Sequence, residues 1–138
     1  MRKSKINISG FKIGTAENRD GLTGVTVILA PDGGATAGVD VRGCAPGTRE
    51  TDLLDPRKTV QKIHAVVLSG GSAFGLEAAS GCVKYLAEQG VGFPIGNVCV
   101  PIVCSAVLFD LMIGDEKAYP DLLMGYEAAK SASSEFLS

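Results

Sequence analysis

The sequence predicts a single α/β domain over residues 1–138, because segments with strand character alternate with segments of helical period. Val25–Leu29 is rich in β-branched residues, and Ile63–Leu68 is a short apolar run. From Phe74 onward apolar side chains recur at helical spacing, and a second helical pattern begins near Pro120. A chain of 138 residues is long enough to bury one core.

The first half of the chain favours strands and loops. Pro31–Gly34 is typical of a turn after the first strand, and Ala37–Val41 is predicted as a return strand that completes a hairpin. Gly43–Asp55 is polar and rich in turn-forming residues, which indicates a loop. Pro56–Lys62 is predicted as a short helix.

The second half favours helices around one apolar segment. Gly90 is a natural C-terminal cap for the first helix, and Gly81 inside it costs about 1 kcal/mol relative to Ala, so a close neighbour is expected there. Val98–Phe109 is predicted as one or two buried strands with a kink at Pro101. The Ser-rich tail from Ser131 fits a fraying terminus, a linker or a cleavage site.

Composition excludes several classes of function. The chain has 13 basic and 15 acidic side chains and a net charge of −2, without the basic face of a nucleic-acid-binding protein. The longest apolar run contains Pro101 and is too short for a membrane span. Met1–Lys5 precedes no apolar signal core, so a cytoplasmic location is expected. Four cysteines without a C-x-x-C pair and a single histidine, His64, imply no metal or other cofactor.

Ser69–Gly75 is the sharpest local feature, a glycine-rich segment between a predicted strand and a predicted helix. Backbone N–H groups in such a turn can bind a carboxylate or stabilise an oxyanion. The segment is neither a Walker loop nor a G-x-S-x-G elbow. Ser72 is therefore either a helix N-cap or a nucleophile, and a nucleophile would need a base that His64 is poorly placed to supply.

Two further places concentrate polar side chains. Ala45–Asp52 contains Arg49 and Glu50, which could hold a substrate terminus or orient a neighbouring loop, or simply form a solvated turn. Asp110 ends a long apolar segment, so its carboxylate is either paired structurally or placed at a site.

Five segments, in this order and spacing, resemble the DmpA-like self-processing aminopeptidases, a family that includes L-aminopeptidase/D-amidase-esterases, β-peptidyl aminopeptidases and nylon-oligomer hydrolases. The segments are Gly24–Ile28, Gly47–Leu54, Leu68–Leu76, Val100–Val103 and Phe109–Leu111. The resemblance implies a layered αββα sandwich, similar in layout to N-terminal-nucleophile hydrolases, of which this chain supplies a part.

The resemblance also implies an enzyme of two chains, in which the nucleophile and its base lie on the second chain. The family precursor cleaves itself before a Ser or Thr, whose hydroxyl becomes the nucleophile and whose α-amino group can serve as the base. That residue is not in this sequence, so residues 1–138 are expected to be most of an α-like chain trimmed at its end, or an engineered or natural fragment. Residues 131–138 are expected to be a flexible end near the processing site, and a second (β) chain is the expected partner. Cys104 also stands where many relatives have Pro.

Site roles follow from the resemblance alone. Gly70, Gly71 and Ser72 are expected to line the cleft and to hold the substrate or oxyanion. Phe74 would form an apolar wall, Arg49 and Glu50 would shape the cleft or contact the substrate terminus, and Asp110 would lie near the new N-terminus of the partner chain. No catalytic residue is assigned in this chain.

The resemblance leaves the substrate open among N-terminal peptides, D-amides, β-peptides and ω-amino acid oligomers. It implies an oligomer of two-chain units, without nucleic acid or membrane partners. The alternative to an enzyme is an inactive binding or structural domain that keeps the same scaffold.

Overall fold

A mixed five-stranded sheet forms the centre of the computed structural model, which describes residues 3–5 and 8–137. Its strands are β2 (Lys12–Asn18), β3 (Thr23–Leu29), β4 (Thr48–Arg49), β5 (Ala65–Ser69) and β8 (Val103–Val107). Two small two-stranded sheets pair β1 (Lys3–Lys5) with β9 (Glu135–Leu137), and β6 (Phe93–Ile95) with β7 (Val98–Val100). The helices are α1 (Ala78–Glu88) and α2 (Leu122–Lys130), and 3₁₀ helices span Asp52–Leu54 and Ser72–Glu77.

The strand order in the large sheet is β2-β3-β5-β8-β4, with β5 and β8 parallel and the other pairs antiparallel. Ser69 pairs with Val25 on one side and with Val107 on the other. The carboxyl ends of β5 and β8 and the start of β3 therefore meet at one edge of the sheet. Loops that leave such an edge commonly build sites in α/β proteins.

Both helices cover one face of the sheet. The core between them contains Val27, Val67 and Val103 from the strands and small residues such as Ala79 and Ala128 from the helices. Burial of apolar area of this kind is the main stabilising contribution to folding.

Glycines set the close approach of α1 and α2. A Cβ on Gly81 would overlap the carbonyl oxygen of Leu122, and a Cβ on Gly125 would overlap the carbonyl oxygen of Ala78. The prediction of a close neighbour at Gly81 is confirmed, since the backbone of α2 crosses there.

The opposite face of the sheet carries apolar side chains, and no helix of the described residues covers it. Thr26, Ile28, Val66 and Ala106 are half-buried there, and Leu68 keeps 45% of its surface exposed. One sheet and one helical layer are half of an αββα sandwich, and the α/β class predicted from the sequence is confirmed.

Several predicted elements are confirmed. The strand over Val25–Leu29 lies within β3, and the apolar run over Ile63–Leu68 contains most of β5. In the turn at Pro31–Gly34 the N–H of Gly34 donates to the carbonyl of Pro31 at 2.9 Å. Gly90 ends α1 with a positive φ of 69°.

Three local predictions are wrong. Ala37–Val41 forms no strand, because β3 already has β2 and β5 as neighbours and no hairpin position remains. Pro56–Lys62 forms turns rather than a helix, and the only helical turn nearby is the 3₁₀ helix at Asp52–Leu54. The segment Val98–Phe109 does break at Pro101, but β7 is largely exposed and only β8 belongs to the core.

The two ends of the chain pair with each other. The tail predicted as a flexible end over residues 131–138 contains β9, which pairs antiparallel with β1, and Ser133 forms a bridge to Ile13. Ser138 lies outside the described residues. The last helix begins after Pro120, with Asp121 as N-cap accepting a hydrogen bond from the N–H of Met124 at 2.8 Å. Among the described helices none is long and apolar enough to cross a membrane.

Candidate functional site at the sheet edge

Three chain segments meet where β5 and β8 end and β3 begins. The N–H of Leu108 donates to the carbonyl of Ser69 at 2.8 Å, and the N–H of Ser72 donates to the carbonyl of Leu108 at 2.8 Å. The N–H of Gly70 donates to the carbonyl of Gly24 at 2.9 Å. The glycine segment after β5 is thus fixed on both sides by its neighbours in the sheet.

Asp110 is the polar centre of this edge. Its Oδ1 accepts a hydrogen bond from the N–H of Gly71 at 2.6 Å, and its Oδ2 accepts one from the hydroxyl of Thr23 at 2.8 Å. Hydrogen bonds to an ionised carboxylate are stronger than those between neutral groups. One side chain therefore joins the segments that follow β5 and β8 to the start of β3.

Gly70 lies directly against this pair. A Cβ on Gly70 would overlap Oδ2 of Asp110 and the hydroxyl of Thr23. Glycine is required here for space, since the φ of Gly70 is not in the left-handed region. The three residues line an open groove of about 850 Å³ that continues along β2 and β3.

The backbone N–H groups of Gly70, Gly71 and Ser72 are all engaged within the chain, as the hydrogen bonds above show. A donor that is already paired cannot serve an oxyanion without breaking its bond, so the expected oxyanion role stays a prediction that requires one of these bonds to break. The glycines position Asp110 and shape the groove.

Ser72 is not the N-cap that the local pattern favoured. Gly71 occupies the cap position with a φ of 82°, and no side chain caps the 3₁₀ helix. Ser72 itself adopts a left-handed φ of 52°. His64 lies before β5 and Ser72 lies after it, so about 20 Å of extended strand separates them, which excludes a direct pair.

Phe74 is exposed and stacks on Tyr119. Their ring centroids are 4.7 Å apart with an interplanar angle of 17°. A Cβ on Gly71 would contact Cβ of Tyr119 at 2.6 Å and Cδ of Pro120 at 3.1 Å. The segment before α2 thus closes over the glycine segment and supplies an aromatic wall beside it.

Arg49 and Glu50 lie away from this groove. The guanidinium of Arg49 donates to the hydroxyl of Ser80 in α1 at 2.7 Å, so it reaches toward the helical layer. Glu50 has a φ of 58°, and its carbonyl accepts a hydrogen bond from the thiol of Cys104 at 3.3 Å. Glu50 lines a separate open depression of about 590 Å³ together with Thr48, Thr51 and Lys58. The structure therefore brings together Gly70, Gly71 and Asp110, but not Arg49 and Glu50.

Two residues at the edge were missed by sequence reasoning. Thr23 lies 87 positions before its partner Asp110, and Tyr119 falls in a segment without clear periodicity. No local signal could have identified either one. Within the described part of the chain, no group of three or more His, Cys, Asp or Glu side chains could hold a metal ion.

Exposed large apolar side chains lie close to Asp110 and Thr23 along the chain. Leu22 precedes Thr23, and the loop after β8 exposes Leu108, Phe109, Met112 and Ile113. Exposed apolar patches of this kind commonly mark surfaces that contact another partner.

Comparison with known proteins places these features in context. The model of peptidase family S58 matches residues 5–135. An uncharacterized aminopeptidase of Mycobacterium leprae (strain TN) is 45% identical in an alignment that covers 91% of this chain and 37% of the relative. A 6-aminohexanoate-oligomer endohydrolase of Kocuria sp. (strain KY2) is 34% identical, with 93% of this chain and 33% of the relative covered. The chain thus spans about a third of the length of these curated relatives.

Solved structures share the fold. A beta-aminopeptidase of Burkholderia sp. superimposes with a TM-score of 0.64 at 18% identity, covering 91% of this chain and 37% of that one. An ornithine acetyltransferase of Mycobacterium tuberculosis, solved with ornithine, gives a TM-score of 0.54 at 16% identity, covering 96% of this chain and 76% of that one. Both neighbours have folds like those of N-terminal-nucleophile hydrolases.

Proposed function

This chain belongs to peptidase family S58, and on that premise we propose that it is the α-like part of a self-cleaving amidase or aminopeptidase. The nucleophile is a Ser or Thr at the start of a second chain cut from the same precursor. Its hydroxyl attacks the substrate amide, and its own α-amino group, with a pKa of about 8, takes up the proton. The substrate is a small peptide or amide with a free amino end.

The observation that carries the proposal is the one-sided sheet. Leu68, Val66 and Ala106 lie on a face that neither α1 nor α2 covers, and curated relatives are about three times as long as this chain. An apolar face of this kind favours burial against further chain. A second sheet laid on this face would complete the αββα layers.

The groove beside Asp110 supports the placement of the active centre. It lies at the edge where loops leave the sheet, and the exposed apolar loop after β8 flanks it. A nucleophile delivered by the second chain to this edge would meet a cleft shaped by Gly70, Gly71 and the Phe74–Tyr119 stack. Arg49 and Glu50 keep only the role of shaping the scaffold at β4.

The proposal specifies the bond that is hydrolysed, an amide bond, and does not choose between peptides and other amides. The relatives are named for aminopeptidase activity and for hydrolysis of 6-aminohexanoate oligomers, and both reactions break an amide bond. The cytoplasmic location and the assembly of two-chain units into an oligomer stay predictions from the sequence.

Intact-mass spectrometry of the full-length protein tests the proposal. The expected result is two chains, the second beginning with Ser or Thr, and covalent labelling of that second chain by a serine-directed probe. Labelling of Ser72 would instead favour a serine hydrolase that acts through this chain. An uncut, unlabelled and inactive protein would favour the alternative, a binding or structural domain on the same scaffold.

A further inference from the structure

Thr23 holds the only hydroxyl that reaches Asp110 among the described residues. Its Oγ1 donates to Oδ2 at 2.8 Å, while Oδ1 accepts from the N–H of Gly71 at 2.6 Å. A carboxylate with a donor on each oxygen is fixed in rotation about its terminal bond, because turning it would break both hydrogen bonds. The position of Gly71 therefore depends on the orientation of Asp110, which Thr23 sets.

The surrounding backbone is adapted to this contact. Gly70 leaves the space in which Oδ2 and the Thr23 hydroxyl meet. Leu22 and Ser72, which flank the contact on its two sides, both adopt a left-handed φ, at 54° and 52°. Residues other than glycine keep this conformation only when their surroundings impose it, and such strain often occurs at functional sites.

The turn between β2 and β3 is tied to the same loop a second time. The N–H of Asp115 donates to the carbonyl of Gly21 at 3.4 Å, and the backbone of Gly114 packs against the same carbonyl. The Asp110 loop thus closes over the start of β3. The hydrogen bond from Thr23 to Asp110 belongs to this closure, and both residues line the groove.

We propose that Thr23 is a positioning residue of the proposed hydrolase. Through Asp110 it fixes the Gly70–Gly71 segment against which the second chain presents its nucleophile. Thr23 need not touch the substrate. The inference rests on the proposed function, and it adds a residue that neither the sequence motifs nor the family resemblance indicated.

The test compares Thr23→Val, which keeps the shape but removes the hydroxyl, with Thr23→Ser, which keeps the hydroxyl. Both are made in the full-length, processed protein, and kcat is measured per active site after titration with a covalent probe, well below the unfolding temperature. Thr23→Val is expected to lower kcat by about tenfold or more, because small misplacements in an active site are costly, with a smaller change in KM. Thr23→Ser is expected to restore most of the rate.

Thr36→Val is the matched control, since Thr36 is exposed in the loop after β3 and no hydrogen bond of its side chain occurs among the described residues. It is expected to leave kcat unchanged. A Thr23→Val enzyme with wild-type kcat per active site would overturn the inference, even if its thermal stability were lower.

Hydrogen exchange separates this inference from the proposed function. The Gly71 amide is expected to be protected in the wild-type protein and in Thr23→Ser, and to exchange at least about tenfold faster in Thr23→Val. If the wild-type protein proves inactive, the proposed function fails, and this measurement still decides whether Thr23 positions Gly71. Equal Gly71 exchange in all variants would overturn the inference.

Discussion

Replacing Gly81 by Ala tests the contact that orders the helical layer. By helix propensity alone the change would stabilise the protein by about 1 kcal/mol. In the structure, however, the new Cβ would overlap the carbonyl oxygen of Leu122 and would lie 2.5 Å from the backbone nitrogen of Tyr126. The neighbours are backbone atoms, so no side-chain rotation can relieve the overlap.

The magnitude follows from the separation that the methyl group demands. The methyl group must move out by more than about 1 Å to reach an ordinary contact distance, because the carbonyl oxygen of Leu122 lies even closer to it than the nitrogen of Tyr126 does. A gap of about 1 Å already forfeits roughly a quarter to a half of the dispersion energy between the helices. Overpacking typically costs about 1–3 kcal/mol. Once the gain of about 1 kcal/mol in helix propensity is subtracted, we expect a net loss of up to about 2 kcal/mol.

Urea denaturation of the full-length protein, followed by circular dichroism, measures this loss. Gly38→Ala is the control, because nothing lies within 4 Å of the Cβ it introduces and its φ is outside the left-handed region. That change should be neutral or stabilising by up to about 1 kcal/mol. If Gly81→Ala stabilised the protein as much as Gly38→Ala, the close crossing of α1 and α2 would be refuted.

Three further predictions concern the site, the pH response and the thiols. Gly71→Val should abolish amide hydrolysis by the full-length enzyme, because it forces a φ of 82° on a branched residue and pushes against Tyr119; retained activity would refute the placement of the cleft. Burial lowers the pKa of His64 below 6.5, and the N–H of Ile102 donates to its Nδ1 at 3.0 Å, which requires the neutral imidazole. The unfolded chain then binds a proton before the folded chain does, so stability should fall as the pH drops below 6.5, and His64→Asn, which keeps an acceptor for Ile102, should flatten the pH dependence of the urea midpoint in this window. Burial raises the pKa of Cys82 to about 12, so iodoacetamide at pH 8 should alkylate the exposed Cys44 and leave Cys82 unmodified until the protein unfolds, as peptide mapping can show.

Elements with strong local signals were predictable from the sequence. The β-branched run predicts β3, and the helical spacing of apolar residues predicts α1, each from a short stretch of sequence. Gly90 predicts the end of α1, because glycine readily adopts the positive φ found there. The prediction of a return strand at Ala37–Val41 was wrong, because a local sequence pattern does not show which strands pair with β3. β2 takes that edge, yet its sequence is interrupted by Gly14, which lies against the backbone of α2.

The candidate site was predictable only in part. Gly70, Gly71 and Asp110 were assigned to one cleft through the family resemblance; the structure joins Gly71 to Asp110 by a hydrogen bond and places Gly70 in close contact with the Asp110 carboxylate. The pairing of their backbone donors was not predictable, because a sequence does not reveal that Asp110 and the carbonyls of Gly24 and Leu108 accept these hydrogen bonds. For Arg49 the sequence left open a shaping role or a substrate contact, and its hydrogen bond to the hydroxyl of Ser80 in α1 favours the shaping role.

The meeting of Thr23, Gly71 and Asp110 follows from the topology of the sheet. β5 and β8 are parallel, so the segments after them leave at the same edge, and the antiparallel β3 begins at that edge. The register that pairs Ser69 with both Val25 and Val107 sets how far each loop extends. A slip of one residue in either pairing would turn buried side chains to the bare face and would separate Thr23 from Asp110. The apolar side chains of β3 and β5 that pack under α1 and α2 therefore hold the site in place, although none of them touches it.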